Sequence, residues 1–184
     1  MAKRIACVLG QDFEDSEFRV PFDRLQAAGH QVVVIGTKKG EELRGKKGKE
    51  KVRADLSIDA AKVGDFDALL IPGGHSPDNL RRDERFVRFV GDFDKSGKLI
   101  AAVCHGPQLL MAAERVKGRT LTAWKTIQHD LKLAGVDVKD EPLVEDGNWI
   151  TSRQPSDLDV FSRALVEDLG EAKARGAVST LPPA

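Results

Sequence analysis

Short apolar runs alternate with longer segments of helical spacing along most of the chain, and this alternation constrains the fold more than any other feature. The runs "RIACVLG" (4–10), "QVVVIGT" (31–37), "ALLIPGG" (68–74) and "LIAAVC" (99–104) read as strands buried on both faces. Between them, "DSEFRVPFDRLQAAGH" (15–30) spaces Phe18, Phe22 and Leu25 as a helix does, with Pro21 either in its first turn or kinking it. Residues 84–98 set Phe86, Val87, Val90 and Phe93 on one helical side. "GPQLLMAAERV" (106–116) is the helix fed by the fourth strand. "TLTA" (120–123) and "KTIQHDLKLAG" (125–135) continue the alternation. Strands alternating with helices require crossover connections, so the expected fold is α/β, with a mainly parallel sheet covered on both faces.

Two segments depart from that rhythm. The stretch 43–57 is polar and glycine-bearing, which suggests a hairpin or edge excursion, and its basic run "RGKKGKEKVR" reads as a solvated loop rather than a phosphate-binding patch. "PLVEDGNWITSR" (142–153) places Asp146-Gly147 between apolar runs, a strong hairpin signal. A last helix is expected over about Ser156 to Leu169. One domain over 1–172 and a tail over 173–184 complete the reading.

Lys+Arg and Asp+Glu number 29 each, so the chain lacks the basic excess of a dedicated nucleic-acid binder. No apolar run approaches the ~20 residues that span a bilayer. The first apolar run is short and carries no small-residue cleavage site, so it reads as a strand, not a leader. A cytoplasmic setting, where thiols stay reduced, is the expectation. The two cysteines are no disulfide framework. There is no dinucleotide fingerprint, phosphate-binding loop or metal-ligand cluster, so neither cofactor nor metal is called for.

Cys7 sits mid-strand and reads as a small buried hydrophobe. Cys104 ends a strand where a helix begins almost at once. In an open α/β sheet ligands bind beyond the carboxyl ends of strands, and a sharp strand-to-helix turn projects its central side chain there. The helix N-terminus should lower the thiol's pKa. Gly106 permits close packing, and Pro107 suits a first helical turn. Gly73 and Gly74 end the neighbouring strand, where their backbone can approach a ligand.

"AAVCHGPQLL", with "QDFEDSEF", "ALLIPGGHSPD" and "DGNWITSRQPSDL", resembles the DJ-1/ThiJ/PfpI superfamily, in particular its PfpI-type branch (intracellular protease I, peptidase C56-like). The likeness covers about residues 3–170, and the four motifs occur in the family's order. It implies a flavodoxin-like three-layer sandwich and Cys104 as a nucleophile in a strained elbow. It places an acid from the Phe13-Glu14-Asp15 motif beside the sulfur, which makes Glu14 the match. A partly desolvated carboxyl there would stay protonated and donate a hydrogen bond to the thiolate. The resemblance gives His105 the acid/base role, oriented by Asp78 of a neighbouring subunit, although a structural or interface role for His105 stays open. The Gly74 and His105 N–H groups would form an oxyanion hole, and His75 either lines the pocket or is exposed.

The late His-x-Glu motif of class I glutamine amidotransferases is missing. His129 is followed by Asp130 and Leu131, and reads as a helix-surface residue. The function implied is a cysteine-dependent enzyme acting on reactive aldehydes or their protein and nucleotide adducts, of glyoxalase or deglycase type. The alternatives are an intracellular cysteine peptidase and a redox-sensing stress protein whose Cys104 is oxidised to sulfenic or sulfinic acid. The implied partners are small aldehydes or glycated substrates, peptides in the second reading, and further copies of the chain in a homodimer or larger assembly. Nucleic acid enters only as a repair substrate.

Overall fold

The computed structural model describes residues 1–170, so the tail 173–184 lies outside the described residues. The four apolar runs form strands β1 (Arg4–Val8), β2 (Gln31–Gly36), β6 (Ala68–Ile71) and β7 (Leu99–Val103). They pair in parallel, and the short strand β5 (Leu56–Ser57) extends the sheet beyond β2. At the other side β11 (Trp149–Ser152) lies parallel to β7, and β10 (Val144–Asp146) closes the edge as its antiparallel hairpin partner. The sheet order is β10-β11-β7-β6-β1-β2-β5.

Period-2 alternation divides the core into two halves. Ala6, Val8, Val33, Ile35, Leu69, Ile71, Ile100 and Ala102 face one layer, while Ile5, Cys7, Val32, Val34, Ala68, Leu70, Ala101 and Val103 face the other. The first layer holds helices α3 (Glu84–Lys95), α4 (Pro107–Ala112) and α5 (Gln128–Leu133). The second holds α1 (Asp15–Ala27) and α6 (Leu158–Leu169). The three-layer flavodoxin-like sandwich is therefore present. Helix α3 packs Phe86, Phe89, Val90 and Phe93 inward, and its N-cap Asp83 accepts from the Arg85 N–H. Each such buried phenylalanine contributes roughly 1.5–3 kcal/mol.

Four expectations take a definite form in the structure. Pro21 lies well inside α1, beyond the first turn, so it withholds an N–H from the Glu17 carbonyl four residues back. Helix α4 ends at Ala112, not Val116, because Glu114 turns into the left-handed region at φ 57°. The strand β8 (Thr120–Leu121) does not join the main sheet. It pairs with β9 (Asp137–Val138) in a separate parallel ribbon, and β11 takes the place beside β7. The last helix begins at Leu158, after a 3-10 turn over Pro155–Asp157.

The excursion after β2 is a hairpin of β3 (Glu42–Arg44) and β4 (Lys51–Arg53), paired outside the main sheet. Strand β1 has β2 on one side and β6 on the other, so the chain reverses its direction of travel across the sheet at β1/β6. Ligand sites in open α/β sheets lie beyond the carboxyl ends of strands at such a switch point.

Candidate active site

Three loops meet beyond the carboxyl ends of β1, β6 and β7. The β1 loop is zipped to its neighbours by backbone hydrogen bonds. The Glu14 N–H donates to the Gly73 carbonyl at 3.2 Å and His75 N–H to Asp12 at 2.8 Å, while Lys46 N–H reaches Phe13 at 2.9 Å. The short helix α2 (Ser76–Leu80) follows β6, and the Ser76 hydroxyl accepts from Gly10 N–H at 2.8 Å.

Cys104 ends β7 at φ 61°, a left-handed conformation costing a non-glycine residue on the order of 1–3 kcal/mol. The surrounding backbone holds it there: Cys104 N–H donates to Ser152 at 3.0 Å, Gly106 N–H to Val103 at 2.8 Å, and Trp124 N–H to Cys104 at 2.9 Å. The residue is mostly buried, at 6% exposure, yet it lines a pocket of about 360 Å³ with Glu14, Glu17, Lys46, Lys47, His105, Trp124 and Pro155. A larger surface cleft, of about 540 Å³ beside Lys98 and Asn148, is lined by no cysteine.

The carboxyl beside the Cys104 sulfur belongs to Glu17, not Glu14. Glu17 is fully buried, its Oε1 accepts the Gly73 N–H at 3.0 Å, and Glu17 and Cys104 lie close enough together that a Cβ on Gly73 would touch both. Oε2 is buried with no hydrogen-bond partner, which disfavours a charge on this carboxyl. Burial, with the Glu14 charge added, raises the Glu17 pKa to about 8, so Glu17 keeps its proton at neutral pH. Glu14 is instead the residue preceding α1, in extended conformation, and its two oxygens meet Lys46 Nζ and Lys47 Nζ, each at 2.9 Å. Burial raises the Glu14 pKa, but the two lysines outweigh it and hold Glu14 ionised, below the usual carboxylate range. The motif match therefore chose the wrong member of a pair three residues apart.

The Cys104 thiol is pushed up, first by burial and then by the Glu17 carboxylate, against the expectation of a lowered value. The nearby N–H groups of His105 and Gly74 pull the other way. Below about pH 8 Glu17 is mostly protonated and adds no negative charge beside the sulfur. The six-residue α4 starts at Pro107, which has no N–H to offer, so the local N–H groups matter more than any helix dipole.

His105 sets Nδ1 3.4 Å from its neighbour's sulfur, and its ring stacks on Trp124 at a centroid distance of 6.1 Å. Desolvation first, then the charges of Lys46 and His75, lowers its pKa, partly opposed by Asp78. Asp78 is exposed, pairs with Arg81 at 2.5 Å, and has no hydrogen bond to His105 within the chain. His75 is exposed and does not line the pocket. Gly73 and Gly74 are where close approach demands glycine. A Cβ on Gly73 would lie 2.4 Å from Glu17 Oε1 and 2.8 Å from Cys104 Cβ, and one on Gly74 would lie 2.3 Å from the Glu14 nitrogen. His129 is exposed on α5.

The residues match the DJ-1/PfpI family over positions 3–168. The chain belongs to the DJ-1/PfpI family. It is 49% identical over 171 residues to protein/nucleic acid deglycase 2 of Escherichia coli (strain K12), covering 92% of this chain and 99% of that protein. Among solved structures it resembles a two-domain Anabaena variabilis protein with DJ-1/ThiJ/PfpI-like and ferritin-like domains, at TM-score 0.91 and 42% identity. That match covers 98% of this chain and 50% of the other, so this chain spans half of the two-domain protein. Drosophila melanogaster DJ-1beta superposes at TM-score 0.85 with 27% identity, covering 97% and 98% of the two chains.

Sequence reasoning missed Glu17, Lys46, Lys47 and Trp124. A signal for Glu17 existed: an acid adjacent to Phe18 and four residues before Pro21, on the stripe that α1 buries. The lysines carried no such signal. Their basic run does form a loop, but the loop turns back over the pocket.

Proposed function

We propose that this protein is a cysteine-dependent deglycase, removing aldehyde-derived adducts from amines through a Cys104 thiolate. One observation carries the reading: the buried Glu17 carboxyl and Cys104 lie side by side in the lining of one small pocket. The likeness to the Escherichia coli deglycase supports the choice of substrate class. In the proposed sequence the thiolate attacks the aldehyde-derived carbon of a methylglyoxal adduct. The C–N bond breaks, and the amine leaves with a proton supplied by His105 or Glu17. The resulting hemithioacetal moves one proton from its first carbon to the neighbouring carbonyl carbon through an enediol, giving a thioester with no external oxidant. Water then cleaves the C–S bond, releasing lactate and restoring the sulfur. The N–H groups of His105 and Gly74 are the proposed donors to the oxyanion. A pocket of about 360 Å³ suits small adducts better than an extended peptide.

The test is lactate release from methylglyoxal-treated N-acetylarginine by wild type, Cys104→Ala and Glu17→Gln. Cys104→Ala should lose catalysis, and Glu17→Gln should lose on the order of 10²-fold. A wild type no faster than Cys104→Ala would remove the reading.

A redox-sensing role is the second reading, favoured by the sulfur's surroundings. Cys7 is sealed within β1 and faces the core, so it offers no resolving thiol. Oxidised Cys104 would then persist as an acid. Mass spectrometry after mild peroxide should find sulfinic acid at Cys104; an unmodified residue refutes this role.

A further inference from the structure

Part of the wall of the pocket that Cys104 lines is built from charge. Glu14 is buried and ionised, and it receives one hydrogen bond from each of Lys46 and Lys47. Each ammonium has three donors, so two on each remain unused. The lysine side chains are 37% and 53% exposed, so a ligand can reach them. Two positive charges face one negative, which leaves the wall with an excess cation.

That wall is held in place. The Asp15 carboxylate accepts backbone N–H groups from Lys47, Lys49 and Glu50, each at 2.9 Å, and fixes the turn between β3 and β4. The turn packs so closely that a Cβ on Gly45 would lie 2.2 Å from Asp15 Oδ2. The lysines are thus presented by a pinned loop. The charge of Lys46 is felt at Cys104, Glu17 and His105.

An anion approaching a thiolate is repelled unless nearby cations offset the sulfur's charge. We infer that Lys46 and Lys47, set by Glu14 and Asp15, select substrates carrying a carboxylate or phosphate close to the carbon that Cys104 attacks. This inference rests on the deglycase reading and narrows its substrate class to adducts with an anion near the attacked carbon, such as those on the α-amines of free amino acids.

Alkylation of Cys104 by iodoacetate and by iodoacetamide tests it without turnover. Both reagents depend equally on the thiolate fraction, so their rate ratio isolates the charge of the pocket. The ratio is read by mass spectrometry at Cys104 and normalised to 2-mercaptoethanol at the same pH and salt. Wild type should favour iodoacetate, and the double variant Lys46→Gln/Lys47→Gln should lower the ratio on the order of tenfold. Glu14→Gln, which removes the counter-charge, should raise it, and added salt should reduce the wild-type preference. Wild-type and double-variant ratios within twofold of each other would overturn the inference, as would failure of both reagents to modify Cys104. A wild type that favours iodoacetate yet releases no lactate would support the charged wall and overturn the deglycase reading alone.

Discussion

Cys104 is held in a left-handed conformation by its backbone neighbours, and Glu17 is buried beside it with a raised pKa. Glu17 has the clearer thermodynamic consequence. Its pKa rises from an ordinary 4.5 to about 8 on folding. The stability linked to its proton is therefore fully present below about pH 4.5 and declines until pH reaches about 8. Glu17→Gln cannot ionise, so the melting temperature of the variant should gain on wild type from pH 5 to 8 and run parallel above. The underlying slope is at most about 1.4 kcal/mol per pH unit. Parallel melting curves across the whole range would show that Glu17 ionises freely in the folded protein. Gly73 gives a second prediction at this scale. A methyl at Gly73 meets both Glu17 and Cys104, so Gly73→Ala should lower deglycase activity on the order of 10²-fold by displacing the carboxyl. Unchanged activity would mean that the contact between the two side chains is dispensable.

Among the elements, the β3–β4 hairpin stands apart because it lies outside the main sheet yet completes the pocket. Its tether is Asp15, at the first position of α1. Asp15→Ala would leave three backbone N–H groups without their acceptor. The expected loss is about 2–3 kcal/mol, because hydrogen bonds to a charged group are the stronger kind. Amide hydrogen exchange at Lys47, Lys49 and Glu50 should accelerate, while α3 and β7 keep their protection; uniform acceleration across the chain would mean that the hairpin is not a separate unit. Helix α1 shows what a local pattern conveys at this scale. Phe18, Pro21 and Leu25 mark its buried stripe, but Glu14 and Glu17 both border that stripe. Periodicity alone does not separate two acids spaced by nearly one turn. The point at which α1 begins decides: Glu14 stays extended outside it, and Glu17 turns inward.

At the scale of the whole molecule, Asp78 is exposed on α2 and reaches His105 only at range within one chain. The expectation that Asp78 orients His105 of a second subunit is open to a complementation test. Asp78→Ala and Cys104→Ala would each be inactive alone, and mixing them should restore part of the activity through sites with both residues intact. No recovery in mixed assemblies would confine Asp78 to its own chain. Short apolar runs, helical spacing and the Asp146-Gly147 turn were sufficient for the layered architecture, because those signals report local geometry and two-sided burial. The position of Cys104 at a strand end was likewise enough to locate the pocket, since strand ends and switch points follow from chain order. Which carboxyl meets the sulfur, that a basic loop becomes a pocket wall, and that burial raises the thiol's pKa were decided only in three dimensions. Each depends on what packs across the β1, β6 and β7 loops, where residues dozens of positions apart set one another's solvation and charge.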